Sequence, residues 1–442
     1  MENYIAAIDL GTTKVVTLIG QRSSGGKVHV LAASETPSLG ILRGEVLNIR
    51  QVTESIQNTV KDIREKSGID VREVFAGIAG QHIRCIENSV GNMRENEEEE
   101  ISEHEIEEMK QQMYHIGIEP DEKILDVIPQ SYTVDEHVNI PDPAGYTGKG
   151  LKGYYRIFIG KSRWATNTEQ CIRRAGLELN LKQFVLEPLA SAMAVLSDDE
   201  KEMGVAMVDI GGGTTGLTVY YDHIVRHTAI IPFGGNVISE DIRQGCAVRL
   251  SQANAIKEQI GSCFGDMVDN SLLVIPGING QEREISFRYL AGIIGARMEE
   301  IIEAVMHEID SSGYADRLQA GIVFTGGGAM MQHLVELAHI KTGYAARIAK
   351  PLHITDDSPA EVRRCSYATA VGLLLAGMKY KKQPEQLSIP VPAPEPEPVE
   401  IPLQEAAPPR GRKRKEAKEV KGPKKKPILD YWVGRLFPDD SY

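Results

Sequence analysis

Two stretches in different halves of the chain repeat one pattern, and this repeat constrains the fold more than any other feature. Each has a nearly continuous apolar run, an aspartate, a glycine turn with two threonines, and a second strand; they span Ile5 to Ile19 and Val205 to Tyr220. Such apolar runs are typical of strands buried on both faces. One glycine-rich hairpin is equally compatible with a turn that binds no ligand. Two copies predict two similar half-domains that hold one phosphate chain from opposite sides.

The two turns carry the groups that phosphate and magnesium require. Glycines lack a Cβ, so backbone N–H groups can approach an anion, and threonine hydroxyls add donors. A buried carboxylate is costly unless a cation or a donor meets it, so Asp9 and Asp209 predict a Mg2+ ion held through water. The predicted phosphate-binding residues are Asp9, Gly11, Thr12, Thr13, Lys14, Gly211, Gly212, Gly213, Thr214 and Thr215.

Other residues extend this site. Glu187 follows a strand and begins a helix, where it can orient a water molecule or the hydration shell of the metal. The alternative is a helix-start carboxylate that the helix dipole favours. If ATP is hydrolysed, Glu187 and Asp209 are the predicted catalytic residues. The turn from Gly326 to Gly328 lets the backbone approach a flat ring or a ribose.

Two other phosphate-binding motifs are excluded. No GxxxxGK[ST] sequence occurs, so the site is not of the Walker type. One G-x-G-x-x-G match, from Gly148 to Gly153, follows a proline-rich loop and opens no predicted helix. A dinucleotide site needs that motif between a strand and a helix, so we do not predict one there.

Length and composition set the remaining limits. A chain of 442 residues predicts two or more domains. Five cysteines without CxxC pairs argue against a disulfide framework or a zinc site and fit a reducing cytoplasm. We expect no secretory signal, because the first residues lead directly into a strand. No apolar run reaches the roughly 18–20 residues that a membrane span needs.

The segment 84–163 is predicted to be an independent insertion without phosphate chemistry. It includes Glu95 to Glu108, a stretch with nine glutamates, which we interpret as a solvated loop and helix face. Ser102 and Glu105 form a capping-box pattern that predicts the start of a helix.

The C-terminal tail differs from the rest of the chain in its charge and composition. The net charge is −13, yet Arg410 to Lys426 holds ten Lys or Arg residues against two Glu. A disordered, Pro-rich and basic linker is predicted at 381–426, followed by an amphipathic helix at 427–438. An apolar face beside lysines favours an anionic membrane surface over docking on the folded body or nucleic-acid binding. The predicted membrane-binding residues are Ile428, Leu429, Trp432, Val433, Leu436 and Phe437.

The motifs taken in order resemble a known superfamily. DLGTTK at 9–14, EPLASA at 187–192, DIGGGTTGLTVY at 209–220, FTGGGAMM at 324–331 and ATAVGLLL at 368–375 resemble the nucleotide-site motifs of the actin/Hsp70/sugar-kinase superfamily. The resemblance implies an α/β, actin-like, two-lobed ATPase fold with duplicated RNase H-like domains. It also implies ATP and Mg2+ in the cleft between the lobes.

Three further segments are similar to the FtsA family of actin-like bacterial division proteins. They are DVIPQSYTVDEHVNIPDPAGYTGKGL at 126–151, PFGGNVISEDI at 232–242 and LSQANAIKEQIG at 250–261. The last resembles the nucleotide-contacting helix of the family, although Lys257 could instead be an exposed helix lysine. The nucleoside-binding residues that the resemblance implies are Asn254, Lys257, Gly326, Gly327 and Gly328.

The resemblance implies an ATP-binding cytoskeletal anchor and not an enzyme, with slow ATP hydrolysis compatible with that role. Such a peripheral membrane protein polymerises into actin-like filaments and attaches the FtsZ ring to the cytoplasmic face of the inner membrane at the division site during septum formation. Implied partners are the FtsZ C-terminal peptide, further copies of the chain, anionic inner-membrane lipids and, through residues 84–163, other division proteins. Nucleic acid is not an expected partner.

The domain boundaries that follow are predictions. Lobe 1 comprises 1–83, 164–197 and 360–380, with the FtsA-type subdomain inserted at 84–163. Lobe 2 comprises a core at 198–236 and 306–359 and an outer subdomain at 237–305 for the FtsZ peptide.

Three related classes fit less well. A small-molecule kinase needs a substrate-facing base outside the shared motifs, and no candidate is present. A chaperone ATPase needs a β-rich peptide-binding domain after residue 380, where the linker and tail leave no room. A pilus-assembly relative shares the insertion but lacks the terminal amphipathic helix.

Overall fold

The computed structural model describes residues 4–23, 27–180, 184–276 and 282–380. The described residues all lie within one compact unit. The predicted linker at 381–426 and the predicted membrane-binding helix at 427–438 lie outside the described residues. No helix within the described ranges is both long and apolar enough to cross a bilayer.

The first part of the chain, up to the end of the insertion, is mainly β-structure. Its elements in order are β1 (Ile5–Leu10), β2 (Lys14–Arg22), β3 (Val28–Pro37), β4 (Ile41–Leu42), β5 (Glu45–Val46), α1 (Ile49–Ser67), β6 (Glu73–Ile78), β7 (Arg84–Met93), α2 (Glu103–Met113), β8 (Glu122–Val134), β9 (His137–Ile140) and β10 (Gly150–Lys161).

The remaining elements alternate helices and strands. They are α3 (Ser162–Arg174), β11 (Glu178–Leu179), β12 (Val185–Leu186), α4 (Glu187–Val195), α5 (Asp198–Met203), β13 (Val205–Ile210), β14 (Thr215–Tyr221), β15 (Ile224–Ile231), α6 (Gly235–Cys246), α7 (Leu250–Ile260), β16 (Leu272–Pro276), β17 (Glu282–Ser286), α8 (Phe287–Ser311), β18 (Ile322–Thr325), α9 (Leu334–Thr342), β19 (Ala346–Ile348) and α10 (Ala368–Tyr380).

Two sheets share one topology. In the first, the order is β3-β2-β1-β6-β11, with β12 also pairing with β6; in the second, it is β15-β14-β13-β18-β19. Each begins with an antiparallel three-strand meander, and β6 and β18 then pair in parallel with the first strand of their meander. The two hairpin turns therefore occupy equivalent places. This duplication confirms the predicted actin-like α/β fold.

The insertion forms a separate sheet with its own core. Its order is β7-β10-β8-β9, and α2 packs against this sheet. The Ser102 hydroxyl accepts a hydrogen bond from the Glu105 backbone N–H, so the predicted capping box is confirmed. The buried side chains of this core are Ile101, Met109, Met113, Val127, Tyr132, Val134, Ile140, Leu151, Tyr155, Ile157 and Ile159.

The chain does not enter a helix directly after the glycine turn Gly326 to Gly328. The next α-helix, α9, begins only at Leu334. Gly328 to Met330 instead form a short 3-10 turn, Met331 is extended, and His333 is left-handed with φ of 64°. The glycine turn and its exit thus take a longer path than helical periodicity alone indicates.

Small residues bring α4 and α10 into close contact. A Cβ on Gly372 of α10 would overlap the carbonyl oxygen of Ala190 in α4. Ala190, Gly372 and their neighbours Ala192 and Ala370 are buried. The contact places the N-terminal ends of both helices beside the end of β13.

Gly372→Ala should therefore destabilise the protein by about 1–3 kcal/mol, because the added methyl group meets backbone that cannot move aside easily. Gly292→Ala in α8 is the matched control, since a Cβ there meets nothing within 4 Å. That change should be neutral or stabilise by up to about 1 kcal/mol through helix propensity. Urea-unfolding midpoints of the two variants test the difference, and equal midpoints would contradict the close contact.

Candidate functional site

A cleft of about 500 Å³ lies where the two hairpin turns face each other. This volume is within the range of ordinary small-molecule sites. Both sheets and the helices α4 and α7 contribute to its walls. The predicted site residues that line it are Asp9, Gly11, Thr12, Thr13, Lys14, Glu187, Asp209, Gly211, Gly212, Gly213, Thr214, Asn254, Lys257, Gly326, Gly327 and Gly328.

The two turns touch across the cleft. A Cβ on Gly212 would overlap the hydroxyl of Thr13, and a Cβ on Gly213 would overlap the side chain of Thr12. Only glycine fits at these two positions while the turns stay this close. The narrow floor of the cleft therefore consists of threonine hydroxyls on one side and exposed backbone on the other. Both provide hydrogen-bond donors, which phosphate oxygens need.

Three carboxyl groups converge beside these turns. Asp9 and Asp209 are the penultimate residues of β1 and β13, and Glu187 is the first residue of α4. Burial and then the charge of Asp209 raise the pKa of Asp9 to about 7, although Lys14 opposes the shift. Burial, together with the charges of Asp9 and Asp209, raises the pKa of Glu187 well above its ordinary value. The apo cleft therefore disfavours full ionisation of the three groups.

Two hydroxyl groups hold Asp209, and sequence reasoning gave neither a role. Ser191 of α4 and Thr369 of α10 donate hydrogen bonds to Oδ2 of Asp209, at 2.5 and 3.1 Å. Burial raises the pKa of Asp209, and these two bonds partly offset that rise. Both residues lie within the motifs at 187–192 and 368–375, but only the packing of α4 against α10 brings them to one oxygen.

The two lysines that line the cleft, Lys14 and Lys257, come from different elements and have different partners. Nζ of Lys14 is 2.7 Å from the Glu35 carboxylate, and Nζ of Lys257 donates to the Gly235 carbonyl at 2.9 Å. Burial lowers the pKa of Lys257, so the alternative of an exposed helix lysine is wrong.

Thr215 is the exception among the predicted phosphate contacts. It does not line the cleft, because its side chain is fully buried and its hydroxyl donates to the Phe233 carbonyl at 2.9 Å. The strand β14 begins at Thr215, and the alternation of side chains along a strand points this residue into the core.

The donor set suits a hydrated magnesium ion. In the described part of the chain, no group of three or more His, Cys, Asp or Glu side chains is arranged to ligate a metal directly. Asp9, Asp209 and Glu187 nevertheless supply hard oxygen atoms whose mutual repulsion a cation would relieve. Mg2+ usually retains several waters and contacts only one or two carboxylates, so an ion held through water fits these residues.

Comparison with known proteins places the chain in one family. A family model described as cell division protein FtsA matches residues 206–372, and one described as the SHS2 domain inserted in FtsA matches residues 80–159. The chain is 36% identical to the cell division protein FtsA of Neisseria meningitidis serogroup B, over 87% of this chain and 93% of that protein. It is 31% identical to FtsA of Escherichia coli K12, over 84% of this chain and 90% of that protein.

Solved structures of low sequence identity share the fold. The PilM-PilN type IV pilus biogenesis complex gives a TM-score of 0.59 at 14% identity, over 84% of this chain and 98% of that chain. MreB 5 of Spiroplasma citri bound to AMPPNP gives a TM-score of 0.50 at 15% identity, over 86% and 98%. With its duplicated sheets, its inserted four-stranded sheet and these relatives, the chain belongs to the FtsA family of actin-like cell division proteins.

Proposed function

We propose that this protein binds ATP with Mg2+ in the cleft, polymerises into actin-like filaments and anchors FtsZ polymers to the cytoplasmic face of the inner membrane during septum formation. The observation that carries the nucleotide assignment is the convergence of three carboxyl groups beside two phosphate-type turns. The carboxyl groups attract a cation, and the hydrogen-bond donors of the turns attract an anion. A magnesium nucleotide supplies both charges in one ligand.

Different residues of the cleft contact different parts of the nucleotide. Thr12, Thr13 and the backbone from Gly211 to Thr214 bind the phosphates, while Asp9 and Asp209 hold the hydration shell of the metal. Asn254, Lys257 and the turn Gly326 to Gly328 contact the nucleoside. Bound Mg2+ would shield the phosphate charge from the carboxylates and align the phosphate oxygens.

ATP serves mainly as a ligand that joins the two lobes, and any hydrolysis is slow. Glu187 is the carboxyl group that would orient an attacking water. Burial and the charges of Asp9 and Asp209 raise its pKa well above its ordinary value, and a bound Mg2+ would oppose this shift.

Exposed apolar side chains support the partner assignments. In the outer part of lobe 2, Leu250, Met267, Leu272, Val274 and Tyr289 are each 43–56% exposed, which suits an apolar peptide such as the FtsZ C-terminus.

The insertion carries its own exposed apolar side chains, including Met93 and Val138 at 73% and 65% exposure, for other division proteins or a neighbouring copy. The sequence of the tail supports the lipid contact.

Membrane attachment should depend on the apolar face of the tail. In flotation with anionic liposomes and FtsZ polymers, the full-length protein should carry FtsZ to the lipid fraction, whereas a 1–425 truncation should not. Trp432→Glu places a charge on the apolar face and should weaken lipid binding about tenfold or more. Tyr431→Glu is the matched control on the polar half of the predicted helix and should have a much smaller effect. Unchanged flotation of the truncation or of Trp432→Glu would contradict the anchor.

Asp9→Asn should stabilise the nucleotide-free protein, and more strongly at about pH 8 than at about pH 5. The pKa of Asp9 rises from 3.8 to about 7 on folding, so at intermediate pH the folded state holds a proton that the unfolded state has released. The contribution of Asp9 to the free energy of unfolding therefore falls as the pH rises from about 4 to about 7. An amide does not ionise and avoids this loss, which melting temperatures at the two pH values measure.

The same variant should bind Mg-ATP about 10- to 100-fold more weakly, because a group that holds the hydration shell of the metal is lost. Asp62→Asn is the matched control on the surface of α1. The hydrogen bond from Lys66 lowers the pKa of Asp62, so this change should slightly reduce stability at neutral pH and leave nucleotide affinity unaltered. Undiminished Mg-ATP affinity of Asp9→Asn would refute the assigned site.

A further inference from the structure

A carboxylate outside the cleft holds the lysine of the first turn. Lys14 begins β2, and its Nζ lies 2.7 Å from Oε2 of Glu35 on the adjacent strand β3. The Tyr367 hydroxyl donates to the same oxygen at 2.8 Å, and the ring of Tyr367 lies 3.9 Å from Nζ of Lys14. The ammonium is thus held from two sides by groups that no phosphate-binding motif includes.

The other side of the ammonium faces the cleft. Nζ of Lys14 lies 3.5 Å from Oγ of Ser366, and both residues line the cleft, whereas Glu35 and Tyr367 do not. Lys14 is only 25% exposed at its side chain, and Glu35 is 46% exposed. The ammonium therefore stands between a half-exposed carboxylate and the space that a phosphate chain would enter.

Few basic side chains line this cleft. Among the described residues that line it, acidic side chains outnumber basic ones. Lys14 directly follows Thr12 and Thr13 of the first turn and lines the cleft with them, so its ammonium belongs to the wall that carries the proposed phosphate contacts. Burial opposes ionisation of Glu35, but hydrogen bonds from Lys14 and Tyr367 outweigh it and lower the pKa of this carboxyl group. The acidic cleft residues are Asp9, Glu187, Asp209 and Glu258.

We infer that Glu35 competes with the nucleotide phosphates for Lys14 and thereby sets the affinity of the cleft for highly charged nucleotides. Glu35 is a positioning residue in this scheme, since it acts through Lys14 and contacts no ligand. When a phosphate chain enters, the ammonium exchanges the carboxylate for phosphate oxygens, and the Tyr367 ring continues to support it. The inference deepens the proposed function and rests on nucleotide binding in this cleft.

Glu35→Gln should bind Mg-ATP about two- to fivefold more tightly than the unaltered protein, the range expected for a partly exposed ion pair. The amide keeps the shape of the side chain and an oxygen for the Tyr367 hydroxyl. The gain should be smaller for Mg-ADP, absent for adenosine, and reduced by salt, which screens exposed charges. Equilibrium binding of the three ligands to the full-length protein measures these differences.

A double-mutant cycle separates this competition from a general structural effect. Lys14→Gln should weaken Mg-ATP binding, and Glu35→Gln should give no further gain in that background. The matched control is Glu54→Gln on the surface of α1, which removes an equal charge from the ion pair with Arg50 and should leave affinity unchanged.

Three results would overturn the inference: an equal gain for adenosine, a gain that persists without Lys14, or weaker Mg-ATP binding by Glu35→Gln. Unchanged affinity in Glu35→Gln would overturn it too, while the proposed function would stand. Absence of Mg-ATP binding by the unaltered protein would instead overturn the proposed function and this inference together.

Discussion

Repulsion between three buried carboxyl groups is the constraint on which the rest of the site depends. Asp9, Asp209 and Glu187 come from three different elements. Burial raises the pKa of all three groups, the charge of Asp209 raises the pKa of Asp9 further, and the charges of both aspartates raise the pKa of Glu187. Such a cluster persists only because the surrounding fold fixes the elements that carry it. The close packing of α4 against α10 has this function, since it brings two hydroxyl groups to one oxygen of Asp209.

The duplicated topology explains why the carboxyl groups meet. Both sheets begin with the same meander, so the turns after β1 and β13 occupy equivalent places and face each other. The likeness ends at the side chains. One turn carries threonine hydroxyls, and the other carries glycines, because a Cβ at those positions would overlap the threonine side chains. Lys14 and Lys257 also have different partners. A symmetric fold thus holds an asymmetric site, as an asymmetric ligand such as a nucleotide requires.

The insertion adds surface without changing this chemistry. Its sheet has a separate hydrophobic core, and none of its residues lines the cleft. Large apolar side chains are exposed both on the insertion, at Met93 and Val138, and at the starts of α7 and α8, at Leu250 and Tyr289. In the proposed function, the cleft binds the nucleotide and these exposed side chains contact other proteins.

The sequence by itself determined the fold class and most of the cleft. Apolar strands, aspartates and glycine turns are local patterns, and their repetition requires no knowledge of distant contacts. Residues whose roles depend on packing could not be found in this way. Thr215 lies in a phosphate-type motif, yet strand alternation turns it into the core. Ser191, Thr369 and Glu35 lie far from Asp209 or Lys14 in the chain and reach them only through the contact of two helices or the pairing of two strands. Hydrogen bonds and pKa shifts depend on distance in space, so only the tertiary structure decided which carboxylates are crowded and which lysine is held.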